Sequence, residues 1–524
     1  MNKNIFKAVL CAALTLPVLS SCELDQEPYS SITYDSSWST YDDACKHYTG
    51  LLTVVRGVVG GSAAYVPEAM ADLFNLRAGA ASLASEHRWT FTTNQFSGDA
   101  VWANNYSLVM QANDFLANID AFINAEEDGS EKQLRLMHYK GVAYFARAFA
   151  YTNMIVRYCK DYEPATAANE LGLPIVTTVD KNARPARATL QETVDFILSD
   201  FKNAEDNLQA IADFDNENNL YHPGLDALDA LQMRFALYTH DFDKAIEKAD
   251  IIIDNYALAS SAQEMLQLWV LDAGSEIVFE PAQTPEEHAN GYGTVYISYD
   301  IREMDGGYDI YGYDPNLVPT QGVVDLYEDG DTRKNVYFAN PYMQETYPAT
   351  KLSNSSTDDF AESAWLLFKF PGNEALFKNP WDWYGSPYNM SKAFRSAEAY
   401  LTAAEACLRK ATPDEGKARD YLNSLRQARN ASDIEPTVTG QDLVKEMEDE
   451  WTREFLGEGK RLDCLKRWHK GFKRMEAQHF NGNLLTSVPN AGYQDLEIAA
   501  DDKRFVWEIP DNDRQANPNL QPNW

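Results

Sequence analysis

Residues 391–410, SKAFRSAEAYLTAAEACLRK, begin the run of helical segments that decides the fold of this 524-residue chain. Small and apolar residues recur there at the three- to four-residue spacing of an amphipathic helix. The same spacing continues in DEGKARDYLNSLRQARN at 414–430 and in GQDLVKEMEDEWTREFLGEGKRLDCLKRWHK at 440–470. The C-terminal part, 392–524, is therefore predicted to consist of helices and a tail that pack on a helical frame.

The N-terminal half carries the same periodicity. It predicts helices at 38–59, 99–122 and 131–158, and a further one that begins with the capping-box pair Thr189 and Glu192 and runs to about Leu208. The segments LDALDALQMRFALYTHD at 225–241 and FDKAIEKADIIIDN at 242–255 form a helix–break–helix pair with alanines at the contact positions. Tetratricopeptide-type helix pairs have this sequence pattern, although the repeat length is irregular in this chain. The fold class predicted is mainly α: an irregular tetratricopeptide-like helical solenoid frame, with its N-terminal part at 37–259.

The stretch 260–391 has a different composition. Gly, Pro, Asn, Asp and Tyr dominate it, as in GYGTVYISYD at 291–300 and NPWDWYGSPYN at 379–389. Such a composition is typical of loops and short strands, and long irregular insertions in compact proteins often carry function. We expect a loop-rich, short-strand insertion that forms the ligand-binding region. The helices on either side of it should pack together.

The N-terminus reads as a secretory signal peptide at 1–21. Lys3 and Lys7 precede an apolar run from Ala8 to Leu19, and the sequence Leu-Ser-Ser-Cys ends at Cys22. This tetrapeptide looks like a bacterial lipobox, which predicts lipidation of Cys22; the alternative is a plain signal peptide with a chance cysteine. The polar, acidic residues that follow predict a lipidated tether at 22–36. No later stretch reaches 18 apolar residues, so we expect the lipid to be the only membrane attachment.

The charge balance argues against nucleic acid as a partner. The chain has 45 Lys and Arg against 79 Asp and Glu, a formal net charge of −34. Phosphate backbones bind basic surfaces and are repelled by acidic ones. Aromatic residues make up 12% of the chain, and some of them are expected to face a ligand.

Catalytic and metal-binding motifs are absent from the sequence. It contains no GxSxG, P-loop, GxGxxG after a strand or HExxH, and its eight histidines never pair at helical spacing. We expect no metal, no cofactor and no enzymatic activity. A helical glycoside hydrolase is the less favoured alternative. Such an enzyme uses two carboxylates, and with 79 Asp and Glu the sequence does not indicate which two they would be. The remaining cysteines are widely spaced and predict buried free thiols rather than disulfides: Cys45, Cys159, Cys407 and Cys464.

Aromatic side chains are the candidate ligand contacts. Flat apolar faces suit sugar rings, whose hydroxyls bind nearby polar groups. The strongest cluster lies in the loop between Pro380 and Pro387, and burial of that loop against the frame is the alternative. The candidate ligand-binding residues are Trp381, Trp383, Tyr384, Tyr388, Tyr292, Tyr296, Trp89 and Asp72.

Several motifs together resemble the SusD/RagB family of Bacteroidetes surface lipoproteins. These are the lipobox with acidic residues after it, Leu171-Gly172-Leu173-Pro174, Ala397-Glu398-Ala399-Tyr400-Leu401, and Arg453-Glu454-Phe455-x-x-Glu458-Gly459-x-Arg461-x-Asp463. Cys464 departs from the family pattern, in which Leu usually follows that Asp. The charged residues from Glu454 to Asp463 are expected to form ion pairs between helices.

The resemblance implies a function that the motifs alone do not carry. Members of this family are non-catalytic lids on SusC-like TonB-dependent outer-membrane barrels. They capture oligosaccharides or, in some lineages, oligopeptides, and deliver them to the barrel. The resemblance therefore implies a lipid-anchored protein on the exterior of the outer membrane, with a SusC-like barrel and an oligosaccharide as partners. Oligopeptide uptake is the alternative.

Overall fold

The computed structural model describes residues 37–524 apart from 78–79, 81, 209–220, 288–292, 305–306, 342–363, 378–387, 476, 481–482 and 485–495. The predicted signal peptide, Cys22 and the tether lie outside these residues. One compact unit ends at His47, and a second runs from Tyr48 to Trp524. In the first unit Trp38 stacks on His47 with ring centroids 3.9 Å apart.

Helices form most of the described chain up to residue 270. They are α1 Tyr41–Val59, α2 Ser62–Met70, α3 Ala84–His87, α4 Asp99–Ile123, α5 Glu131–Tyr158, α6 Leu190–Leu208, α7 Leu225–Tyr238, α8 Phe242–Asn255 and α9 Ala262–Val270. The predicted capping box is present, since Glu192 accepts a 2.8 Å hydrogen bond from the Thr189 amide and the Glu192 amide donates to Thr189 Oγ1. The helices predicted from periodicity are confirmed to within a few residues.

Shorter elements follow, and then the C-terminal helices. The helices are α10 Gly293–Tyr296, α11 Gln321–Val324, α12 Thr332–Tyr337, α13 Ser396–Arg409, α14 Glu415–Ala428, α15 Gln441–Glu454, α16 Arg461–Arg467 and α17 Asp511–Ala516. The strands are β1 Phe74–Leu76, β2 Ile277–Phe279, β3 Tyr299–Met304, β4 Gly307–Tyr313, β5 Leu317–Pro319, β6 Phe394–Arg395, β7 Phe472–Lys473, β8 His479–Phe480, β9 Asn483–Leu484 and β10 Glu497–Ile498. Within the described residues these strands form antiparallel pairs only: β1–β5, β2–β6, β3–β4, β7–β10 and β8–β9. The mainly α fold class is confirmed.

Small residues allow neighbouring helices to approach closely. Helix α5 packs between α4 and α6, α7 packs on α8, and α13 packs on α8 and α14. At Gly141 of α5, an added Cβ would lie 2.9 Å from Cγ of Leu208 at the end of α6. A larger residue at 141 would push the two helices apart, which costs packing free energy.

The helices that flank the insertion share one hydrophobic core. Leu237 and Ala245, from α7 and α8, belong to the same buried cluster as Leu401 of α13, Leu422 of α14 and Trp451 of α15. Burial of apolar surface in this cluster stabilises the frame across the insertion. The prediction that these helices pack together is confirmed.

A buried network of ion pairs ties the insertion to this frame. Glu454 of α15 accepts hydrogen bonds from Arg429 at 2.8 Å and from Arg333 of α12 at 3.0 Å, and it also pairs with Arg395. Burial by itself would raise the pKa of Glu454, but these guanidinium groups hold it well below its usual range. The charge is therefore retained in the interior because its partners surround it.

The other charged residues of the C-terminal motif also form ion pairs. Glu458 pairs with Lys369 and Arg395. Arg461 pairs with Asp72, and Asp463 lies 3.5 Å from Arg157. The expectation that this motif connects helices is confirmed.

Among the described residues, the stretch Tyr41–Met70 has a length and hydropathy compatible with a membrane span. It comprises two helices, α1 and α2, with a break at residues 60 and 61. The core helices of globular proteins have the same length and hydropathy, and Val66, Ala69 and Met70 are fully buried.

The cysteines in the second unit are buried free thiols, as predicted. They are Cys159, Cys407 and Cys464. Burial raises the pKa of each to about 11, so the thiols stay protonated. Cys45 is also a free thiol, but it is only partly buried.

Candidate functional site

The described ends of the segment that carries the predicted aromatic loop lie next to each other on the frame. Trp381, Trp383 and Tyr384 lie outside the described residues, as does Tyr292. Tyr388 is described and is partly buried at the returning end. Its carbonyl accepts a 2.7 Å hydrogen bond from the Asn373 amide, which joins the two ends of the segment.

Residues 372–373 and 388–392, at the two ends of this segment, form the root of the aromatic loop. The carboxylate of Asp272, just after α9, contacts both ends. Oδ2 accepts hydrogen bonds of 3.0 Å from the Asn373 side chain and from the Met390 amide. Oδ1 accepts a 2.7 Å hydrogen bond from Lys392. One buried carboxylate therefore contacts both ends of the loop, and its charge is balanced by a buried ammonium group.

Asn389 completes the root with its side-chain amide. Its Nδ2 donates to the Trp269 carbonyl at 2.9 Å, and its Oδ1 accepts from the Gly372 amide at 3.0 Å. Asn389 is 2% exposed, so these bonds are shielded from water. The frame thus fixes where residues 373–388 begin and end.

A second carboxylate lies beside the root. Glu280 is fully buried, with Oε2 3.3 Å from Lys392 Nζ. Burial raises the pKa of Glu280 to about 7, because the attraction of Lys392 only partly offsets the loss of solvent and the nearby charge of Asp272. Lys392 therefore contacts two buried carboxylates, those of Asp272 and Glu280.

Three other predicted ligand contacts lie in the interior, which corrects the expectation for them. Trp89 is 3% exposed and donates its indole N–H to the Met70 carbonyl at 2.7 Å. Tyr296 is fully buried, and its hydroxyl donates to the Gly457 carbonyl at 3.1 Å. Both rings contact other aromatic side chains of the core. Neither presents a face on which a sugar could stack.

Asp72 is also interior rather than surface-exposed. It is 4% exposed, and both of its oxygens accept 2.8 Å hydrogen bonds from Arg461. Because this carboxylate is buried as well as paired, it is not presented to a ligand at the surface. Its role is to fix α2 relative to α16.

A cavity of about 130 Å³ lies deeper in the frame, between α5, α7, α13 and the α15–α16 segment. Its lining includes Arg234, Glu398 and Lys460. Arg234 and Glu398 form a bidentate pair with two bonds of 2.7 Å, and Lys460 lies 3.3 Å from the same carboxylate. Sequence reasoning missed this site because no local motif marks it.

One group of side chains has the composition of a metal site. Asp161, Glu163 and His469 come together after α5 and α16, with His469 Nε2 3.5 Å from Asp161 and 3.4 Å from Glu163. Lys466 and Arg467 lie close enough to act electrostatically on Asp161. These positive charges oppose cation binding, and we assign no metal to this group.

The fold and the anchored loop define a class of protein: a helical-repeat frame that carries a loop-rich half. Residues 250–524 match the model of the SusD family, and residues 24–237 match a model described as starch-binding and associating with the outer membrane. The first match covers more than half of the chain. The protein belongs to the SusD family.

Individual relatives are consistent with this assignment. The chain is 23% identical over 97% of both lengths to a SusD-like protein of Formosa agariphila. It is 33% identical over 130 residues to the starch-binding protein SusD of Bacteroides thetaiotaomicron, a match that spans 20% of that protein's length.

Solved structures show the same fold. A SusD superfamily protein of Bacteroides thetaiotaomicron has a TM-score of 0.72 and 23% identity, with 93% of this chain and all of that chain covered. A surface glycan-binding protein of Bacteroides uniformis has a TM-score of 0.66 and 17% identity, with 91% and 99% covered.

Proposed function

We propose that this protein is a lipid-anchored glycan-binding protein on the exterior of the outer membrane. It captures oligosaccharides through the aromatic residues at 381–388 and delivers them to a SusC-like TonB-dependent barrel. The family model's description names starch binding and association with the outer membrane, and this supports both the ligand class and the location. The protein acts by binding and release, without catalysis.

The anchored root of the aromatic loop is the observation that carries this proposal. The carboxylate of Asp272 and the side chain of Asn389 fix both ends of the segment on the frame. Fixing the ends lowers the conformational entropy that the segment loses when a ligand binds. Four aromatic residues within the eight positions 381–388 then supply faces for stacking on sugar rings.

Binding of maltoheptaose by the purified protein tests the ligand assignment. The starch-binding relative motivates this probe. We expect weak binding by isothermal titration calorimetry and a loss of at least about tenfold in affinity for Trp381→Ala and Trp383→Ala, because each loses a stacking face. Leu198→Ala is the matched control, since Leu198 is an exposed apolar residue on α6. Unchanged affinity in both tryptophan variants, with normal circular dichroism, would reject the loop as the site.

The partner is tested by purifying the lipidated protein from outer membranes in mild detergent. We expect a TonB-dependent barrel to co-purify, with an oligosaccharide as the bound cargo in the mass spectrum. Peptide as the trapped cargo would favour oligopeptide uptake instead. Release of shortened sugars from any glycan by the purified protein would revive the glycoside hydrolase alternative.

A further inference from the structure

The cavity in the frame is lined by polar groups that have no hydrogen-bond partner in the described part of the chain. Thr152 of α5 and Thr402 of α13 line it, and their residues are 2% and 1% exposed. Neither hydroxyl has a hydrogen-bond partner among the residues that the structure describes. Trp451 of α15 also lines the cavity, and its indole nitrogen is buried and unpartnered as well.

The two threonines differ from other threonines in helices of this chain. Thr53, Thr193 and Thr452 each donate to the carbonyl four residues earlier, at 3.1, 2.9 and 2.9 Å. This back-bond is the usual partner of a helical threonine hydroxyl. Its absence at Thr152 and Thr402 leaves both hydroxyls available to donate into the cavity.

The donors and the charges around the cavity favour an acceptor. An indole N–H can only donate, so its partner must carry a lone pair. Two cations, Arg234 and Lys460, share the single carboxylate of Glu398. Cationic side chains also outnumber anionic ones among the lining residues, although the whole chain has a net charge of −34.

Lys460 is the cation with hydrogen-bonding capacity to spare. Its ammonium group carries three N–H donors, and its one contact with Glu398 is long at 3.3 Å. Burial and the neighbouring Arg234 lower its pKa to about 8, against the attraction of Glu398, Asp463 and Glu458.

We propose that this cavity binds a small oxyanion, held by Lys460, Thr402, Thr152 and Trp451. Its volume of about 130 Å³ admits a small carboxylate or an inorganic oxyanion. Its lining combines apolar side chains with the polar and charged ones that would bind the anion. The ligand chemistry is one negative, oxygen-bearing head group, whether inorganic or part of a small organic acid. Trp269, Met390 and Lys392 belong both to this cavity and to the root of the aromatic loop, so the two sites adjoin, but anion binding does not depend on the proposed glycan binding.

Equilibrium dialysis of the purified protein with radiolabelled acetate and with radiolabelled sulfate tests the proposal. We expect one bound anion per chain for at least one probe, and preference between the two distinguishes organic from inorganic sources. Lys460→Gln should abolish saturable binding. Thr402→Val should weaken it about tenfold, because one hydrogen bond to a charged group is lost.

Two controls keep the test decisive. Thr402→Ser keeps the hydroxyl and should bind like the parent protein, whereas Leu198→Ala, at an exposed position of α6, should bind the anions unchanged. Thermal unfolding confirms that each variant is folded. Absence of saturable binding of both probes, or binding that survives both Lys460→Gln and Thr402→Val, would overturn the proposal and leave a cavity filled by water only.

Discussion

Asp72 and Arg461 lie 389 positions apart in the sequence, yet they form a bidentate pair with two parallel bonds of 2.8 Å. Asp72→Asn should lower the free energy of unfolding by ~2 kcal/mol, because it leaves a largely buried guanidinium group without its counter-charge. Urea unfolding at neutral pH measures this change. Asp420→Asn, at an exposed position of α14, is the control and should stay within ~0.5 kcal/mol of the parent protein. An equal effect in both variants would contradict the role of the pair.

Asp272→Asn should loosen the root of the aromatic loop. The substitution removes the charge that balances Lys392 and replaces one acceptor oxygen with a donor amide. We expect faster hydrogen–deuterium exchange of the Met390 amide and a several-fold loss of maltoheptaose affinity, with the helices of the frame unaffected. Exchange at Met390 equal to that of the parent protein would show that the carboxylate does not hold this end.

Acid should destabilise the protein in a defined pH range. Burial opposes the charge of Glu398 and Glu450, but Arg234 and Lys460 beside the first, and Arg333, Arg453 and Arg426 beside the second, lower the pKa of each to about 2. The unfolded chain binds these protons at about pH 4.5, so their contribution to stability is present above that pH and is lost as the pH falls towards 2. Chemical denaturation between pH 6 and pH 2 should show this loss, and Glu398→Gln should flatten part of the slope.

Glu68 should have the opposite pH dependence. Burial raises its pKa to about 8, outweighing a 2.8 Å hydrogen bond from the Gly459 amide and the attraction of Arg461. Folding therefore takes up a proton above about pH 4.5, and Glu68 destabilises the fold increasingly as the pH rises towards 8. Glu68→Gln, which keeps the acceptor oxygen, should be more stable than the parent by on the order of 3 kcal/mol near pH 8 and equal to it near pH 4.5. A constant difference across this range would contradict the shifted pKa.

Lipidation of Cys22 predicts where the protein is found in the cell. Cys22→Ala removes the thiol that would carry the lipid, so the protein should leave the membrane fraction while keeping its fold and its affinity for maltoheptaose. Cell fractionation and intact-mass measurement check both points. A variant that remained in the membrane fraction in the same amount would show that another attachment exists.

The helices could be predicted because their information is local. Periodic apolar residues and the Thr189–Glu192 capping box act within a few turns of chain. The binding residues were harder to predict. Tyr296 and Trp89 have aromatic rings of the kind that stack on sugars. The sequence does not distinguish an aromatic ring that packs in a core from one that faces a ligand. The two kinds of ring differ in burial, which depends on the fold of the whole chain.

The residues that organise the candidate sites have partners far along the chain. Asp272 meets Met390 and Lys392 about 120 positions later, and Lys460 meets Glu398 across 62 positions. No local sequence pattern predicts contacts between residues so far apart. Each residue taken alone would be predicted to be a solvent-exposed charge. The ion pairs of the Glu454–Asp463 motif were predicted because the family resemblance marked them.

The anchoring of the aromatic loop also bears on how this protein could diversify. The groups that Asp272 and Asn389 bind all lie outside residues 378–387, so those ten positions can vary without altering the contacts described at the root. Selection for a new nutrient could then act on one short stretch while the inherited frame keeps its stability. Recombination of that stretch between paralogues would be a direct route to new diets, and it is also a practical place to build a library of altered binding preference.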